Sequence, residues 1–374
     1  MPKQVTRMLL ILFFFASACS PNLTDQVDPE AITITPSATW LIEATHTSQR
    51  QTETETSIPR TSTAIPITPT PSLELNTQLG GSIGPIYSLS WSPDGRVLAS
   101  AGFGQVNLWD QAEQPITLLG HDSYVWAVEW SPDGSLIASG GQDGGIFIWD
   151  GVNQTLLERM GDLWVYSVSW SPAGDRIAAG TSQGMVQVWE IASGELLLQL
   201  KPVAMAEAIS LDWSPDGRLI AEGLLNGDIL LWEAESGRLD ETISGYTNRR
   251  SDVNGLTWSP SGGELATAHQ DGVIRVWDAS SRELLVEMTG HKGWARGIAW
   301  SPSGNLLATT GSDGRVIIWQ MHSGKQLAEF TKSKYPMWSV DWSQGDALLA
   351  TGNGVYNRQS VDGQLFILLP PDYP

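Results

Sequence analysis

Cysteine is almost missing from this chain: Cys19 is the only one in 374 residues. Disulfides need pairs, so any folded part stands on its buried core and not on cross-links. Histidine is scarce, and no two of His46, His121, His269, His291 and His322 lie within five residues of each other. That spacing gives no paired-histidine metal site on a helix or hairpin. Basic charge is short as well, with 21 Lys and Arg against 41 Asp and Glu. So acidic a chain repels phosphate backbones and anionic lipid headgroups, which argues against nucleic-acid binding. Neither calcium-loop spacing nor a glycine-rich phosphate loop is found. Gly180-Thr181-Ser182-Gln183-Gly184 has the letters of a nucleophile elbow. That motif needs a strand-to-helix turn, and here it falls between two expected strands. A non-catalytic protein without metal or cofactor is therefore expected.

Long apolar runs are also rare, and the first one is informative. Lys3 and Arg7 precede an unbroken run from Met8 to Ala16, followed by Ser17-Ala18-Cys19. A basic start, a run too short to span a bilayer and small residues before a cleavage point describe an export signal over residues 1–18. The cysteine after the small residues resembles the lipobox of bacterial lipoproteins, with Ala16 where that group prefers Leu. The resemblance implies lipidation of Cys19 and a membrane-anchored, exported protein; an incidental cysteine beside an ordinary cleavage site is the alternative. Acyl chains contribute about 0.8 kcal/mol per buried CH₂. The mature chain would keep 19 basic against 41 acidic side chains, so the lipid alone would supply membrane affinity.

Residues 20–72 change character, with 13 Thr, 6 Ser and 7 Pro among 53 residues. No helical or strand period runs through them, and such a segment buries too little to offset its ordering entropy. As a flexible coil it would span roughly 40 Å root-mean-square. With Cys19, it reads as a tether over residues 19–72.

Beyond it, a W-S-P-D-G-like sequence recurs every 39 to 45 residues, led by Trp91, Trp130, Trp170, Trp213, Trp258, Trp300 and Trp342. A second tryptophan follows 19 residues later in five units, as Trp149, Trp189, Trp232, Trp277 and Trp319, and 18 later as Trp109. A unit this short cannot hide its own apolar face, so the units must stack or close. The sixth unit shows four short segments separated by Pro- and Gly-bearing turns, which predicts four antiparallel strands per repeat. Seven such units make an all-β, seven-bladed propeller over residues 73–374. The last unit ends after Gln364–Leu369, its third strand. Residues 73–79 can supply the fourth, zipping the ring shut and removing an open edge.

These units resemble the WD40-repeat family. Gly-His stands at Gly120-His121 and Gly290-His291, Asp-Gly at Asp143-Gly144, Asp271-Gly272 and Asp313-Gly314, and Trp-Asp at Trp109-Asp110, Trp149-Asp150 and Trp277-Asp278. The resemblance implies a hydrogen-bonded chain inside a blade: His121, Ser139, Asp143 and Trp149 in the second unit, and His291, Thr309, Asp313 and Trp319 in the sixth. In the fifth, Thr267, Asp271 and Trp277 are present, with Tyr246 at the histidine position. In the seventh, Leu368 replaces the second tryptophan, and Gly354–Arg358 is expected in a longer loop on the top face.

Two columns ahead of the core tryptophans vary from unit to unit, so blade packing does not dictate them. Four positions before, they carry Tyr87, Trp126, Tyr166, Asn254, Arg296 and Trp338; six before, Tyr124, Trp164, Glu207, Asp252 and Trp294. In the family these positions line the mouth of the central channel on the top face. The resemblance thus implies an aromatic arc with an acidic sector, Glu207 and Asp252, and one cation, Arg296. Aromatic and arginine side chains dominate binding hot spots. The same rings could instead stack on one another and plug the channel. A monomeric scaffold that binds a protein or peptide is expected, with glycan stacking on the aromatic face as the alternative.

Overall fold

The computed structural model describes residues 73–79, 84–110, 115–201, 206–244, 251–356 and 361–370. The export signal, Cys19, the tether and Tyr246 lie outside the described residues. Thr70–Pro374 forms one compact unit.

Burial on both faces decides how the strands read. Ile146–Asp150 has four consecutive buried residues, and all six of Leu306–Gly311 are buried. Runs of this kind belong to sheets covered on both sides. Between them, the Ser-Pro-Asp-Gly turns are built from their own side chains. Ser131 Oγ accepts the Leu136 N–H at 2.9 Å and donates to Asp133 Oδ1 at 2.7 Å. Gly134 closes the turn at φ 72°, a conformation that costs glycine nothing.

The described strands form seven four-stranded sheets. In blade 6 they are Ala295–Trp300, Leu306–Gly311, Val316–Gln320 and Lys325–Phe330. The first strand of every blade packs against the first strands of both neighbours, and blade 7 returns to blade 1. The chain is thus a closed seven-bladed ring. Its hydrophobic core is not in the blades but between them, in seven clusters that each draw on two adjacent sheets. One joins Ala138, Ile146 and Met160 of blade 2 to Val165, Trp170 and Ile177 of blade 3.

Closure uses the two ends of the domain. Glu74–Leu79 pairs antiparallel with Val361–Leu369, from Glu74 opposite Leu369 to Leu79 opposite Leu365. Leu73 enters the cluster between blades 6 and 7 beside Phe330 and Leu368. The expected loop after Gly354 is instead a strand extension. Leu349–Tyr356 and Val361–Leu369 form a long hairpin paired as far as Tyr356 opposite Val361. Extra residues in an antiparallel pair lengthen the ladder when backbone partners are available. Asn357 and Arg358 lie outside the described residues.

Inside the blades, indole N–H groups seek acceptors. In blade 2, Trp149 Nε1 donates to Ser139 Oγ at 2.8 Å, which lies 2.7 Å from His121 Nε2. His121 Nδ1 donates to Asp143, 2.9 Å from Oδ2. The donor-only indole and acceptor-only carboxylate fix the direction of this chain. Burial pushes the Asp143 carboxyl up, and the hydrogen bond and charge of His121 outweigh it, leaving it below the usual range. Blade 6 repeats the arrangement with Trp319, Thr309, His291 and Asp313, at 2.8, 2.9 and 3.1 Å. In blade 5 a different histidine serves: Thr267 Oγ1 accepts from Trp277 at 3.0 Å and lies 2.8 Å from His269 Nε2. Asp271 turns instead to Arg275, 2.9 Å away. Blade 4 has Glu222, fully buried, whose Oε2 accepts from Trp232 Nε1 at 2.7 Å. Blade 3 has Ala179 in that place, and Trp189 Nε1 is buried without a partner.

Candidate functional site: an aromatic face at the channel mouth

Each of the two variable columns sits at or just before the start of a blade's first strand. Val125–Trp130, for example, begins with Trp126 already half-buried. The next two residues, Ala127 and Val128, are buried in the clusters between blades.

The rings join in a continuous chain. Trp126 stacks on Tyr124 with centroids 5.1 Å apart and planes at 10°. Tyr87 lies 4.7 Å from Trp126 and 5.4 Å from Trp338. Tyr166 extends the chain into blade 3, 6.4 Å from Trp126. At the other end the Arg296 guanidinium lies 3.9 Å over Trp338 and 5.2 Å over Trp294. Trp338 Nε1 donates to the Gly354 carbonyl at 2.8 Å, which ties the arc to the blade-7 hairpin. Such offset and edge contacts each contribute about 0.5–1.5 kcal/mol beyond area burial.

Two candidates differ from the sequence expectation. Arg296, expected as the cation of the mouth, is only 6 % exposed; its charge is spread over two indoles, and it stiffens the arc instead of projecting from it. Asp252 is buried as well, and burial pushes its carboxyl up to about 6. Glu207 stays half-buried. Burial, and then the nearby Glu207 charge, raise the Tyr166 phenol, so these two are electrostatic neighbours. Asn254 Nδ2 donates to the Ala295 carbonyl at 2.7 Å, linking blade 5 to blade 6. Trp164 is half-buried at the edge of blade 3, its carbonyl accepting the Ser182 N–H at 3.0 Å.

Phe103 belongs to the same surface and was not in either column. It is 44 % exposed, with its ring 4.9 Å from Tyr124. A third column, twelve residues after the core tryptophan, carries the only aromatic at Phe103 in unit 1, with Leu225 in unit 4 and Gln142, Ser182, Gln270, Ser312 and Gly354 elsewhere.

Three more titratable groups lie deeper, one position before the core tryptophan. Asp341 Oδ2 accepts the Trp91 N–H at 2.7 Å, Asp212 Oδ2 accepts the Trp258 N–H at 2.7 Å, and Glu129 Oε2 accepts the Trp170 N–H at 3.2 Å. Each bond crosses from one blade to the next. Desolvation pushes Asp341 up to about 7 and Asp212 up to about 6, and burial with the Asp212 charge raises Glu129 well above its ordinary range. Each is half-buried by surface exposure, yet protein surrounds its carboxyl. They are fasteners between blades. Among the described residues no group of three His, Cys, Asp or Glu side chains could hold a metal ion.

A closed ring of seven four-stranded sheets defines a β-propeller. The WD domain, G-beta repeat model matches residues 74–110, 113–150, 155–190, 237–278 and 282–320, just over half of the chain. The chain belongs to the WD40-repeat family. The matched segments start on an outer strand of the preceding blade, as 74–110 does. Most of units 4 and 7 falls outside them, and these are the units that carry Glu222 and Leu368 in place of the usual residues. No curated protein matches the chain. Propellers of this family are typically protein-interaction scaffolds without catalytic function.

Proposed function

We propose that this protein is an exported, lipid-anchored scaffold that binds a protein or peptide at the aromatic mouth of its propeller. The observation that carries the reading is the pre-stacked arc of Phe103, Tyr124, Trp126, Tyr87 and Trp338. Rings held by one another and by Arg296 lose little conformational freedom on binding, so a partner meets a preorganised apolar face. The arc is both packed and partly exposed, so mutual stacking and partner binding are compatible. Glu207 gives one border of the face a negative charge, which favours a partner with a basic residue beside its apolar contact.

The export signal and Cys19 support placement at a bacterial membrane surface, with residues 20–72 as the spacer. Metabolic labelling with palmitate, lost in Cys19→Ser, tests the anchor. For the binding face, Trp126→Ala combined with Trp338→Ala should keep the circular dichroism of the propeller and abolish partner pull-down. Retained capture would rule out this face. Stacking on sugar rings is the second reading that exposed indoles favour. Binding to a glycan array without any protein partner would support it.

A further inference from the structure

The outer strands of the seven blades form the rim, and six of them are guarded. Leu156–Met160 carries Glu158 and Arg159, and Leu239–Ile243 carries Asp240 and Glu241. Glu287, Lys325 with Glu329, and Glu74 guard three more. Ile116–Leu118 is only three residues long. Charges and short length are the ordinary protections of an open sheet edge. Leu196–Leu200 of blade 3, with sequence Leu-Leu-Leu-Gln-Leu, has neither. Leu196 and Leu197 are 37 % and 39 % exposed. A register bulge beside its Trp189 end recurs in blades 2, 4, 5 and 6. It does not set blade 3 apart, and Leu198–Leu200 stays in regular register.

We propose that this strand is a self-complementary edge at which two copies of the chain pair antiparallel about Leu198. The charges that flank it select this occupant. Glu195 precedes the strand and Lys201 follows it, both exposed. Neither is in an ion pair among the described residues. Two-fold pairing about Leu198 sets Glu195 opposite Lys201 of the second copy, twice over. Leu196 then faces Leu200, Leu198 faces itself, and Leu197 lies against Gln199. Two such acidic bodies repel elsewhere, so an uncharged strand with opposite charges at its ends is where they can approach. The product is a continuous eight-stranded sheet with an isologous interface. It replaces the monomer expected from the sequence.

The test is sedimentation equilibrium of the full chain, with Cys19→Ser in every sample so that lipid cannot mediate association. The wild-type edge should shift with concentration from 40.6 kDa to twice that mass. Leu197→Lys should remain monomeric. Glu195→Lys, which opposes like charges at both ends, should weaken association about tenfold. Adding Lys201→Glu to it should restore the wild-type constant. A wild-type monomer up to millimolar concentration, an unaffected Leu197→Lys dimer, or a charge swap that fails to restore pairing would each overturn the proposal.

Discussion

His269 Nε2 lies 2.8 Å from Thr267 Oγ1, two residues earlier on the same strand. His121 and His291 reach the equivalent oxygen from before the first strand of their own blades. In blade 5 the ring comes from inside the sheet, and its Nδ1 lies 3.4 Å from the Ser251 carbonyl. Burial, reinforced by the Arg275 charge, pushes this imidazole down to about 4, so it is neutral at ordinary pH. His269→Ala should destabilise the propeller by about 1–3 kcal/mol, since Thr267 and Trp277 are buried with it. Urea unfolding checks this, and the loss should be fullest near pH 8 and shrink toward pH 6, where the unfolded imidazole binds a proton that the folded one does not.

Blade 3 makes the converse prediction. Trp189 Nε1 is buried without an acceptor because Ala179 stands where Ser100, Ser139 and Thr309 stand in other blades. Ala179→Ser should stabilise the protein by about 1 kcal/mol, read as a raised denaturation midpoint with an unchanged slope.

The buried carboxyls set the pH dependence. Burial pushes Glu222 up to about 7, alongside Asp341 and Asp212. A carboxyl whose folded pKa is raised binds more protons in the native state than in the unfolded one. Its contribution is full below the unfolded value and is lost as pH rises through about 6 to 7. Glu222→Gln copies the protonated form. It should leave the melting temperature near its wild-type value at pH 4 and raise stability at pH 8, by roughly 3 kcal/mol at most.

Ring closure rests on Glu74–Leu79. Removing residues 73–79 exposes Val361–Leu369 as an edge and takes Leu73 from the core between blades 6 and 7. The melting temperature should fall, and proteolysis should begin in blade 7. An unchanged melting curve would reject the pairing.

Much of this architecture was legible in the chain itself. The tryptophan spacing gives the blade count, because each core tryptophan caps a strand that must be covered by its neighbour. The missing outer strand of blade 7 follows from the end of the repeat at Leu369. What escaped depends on three-dimensional substitution. His269 replaces a histidine that no alignment of units places there, and Glu222 fills a serine position with a longer acceptor. Phe103 sits in a turn column that is polar in most other units. The burial of Arg296 could not be read from its column, because it depends on two indoles from different blades, Trp294 of blade 6 and Trp338 of blade 7.

The central claim is that the stacked mouth is the contact surface. Peptides selected from a random display library on the folded protein should be titrated calorimetrically against wild type and the Trp126→Ala, Trp338→Ala variant. The account predicts that the variant keeps its fold and loses affinity by more than about a hundredfold, the sum of two hot-spot contacts. Equal affinity for both proteins would contradict it.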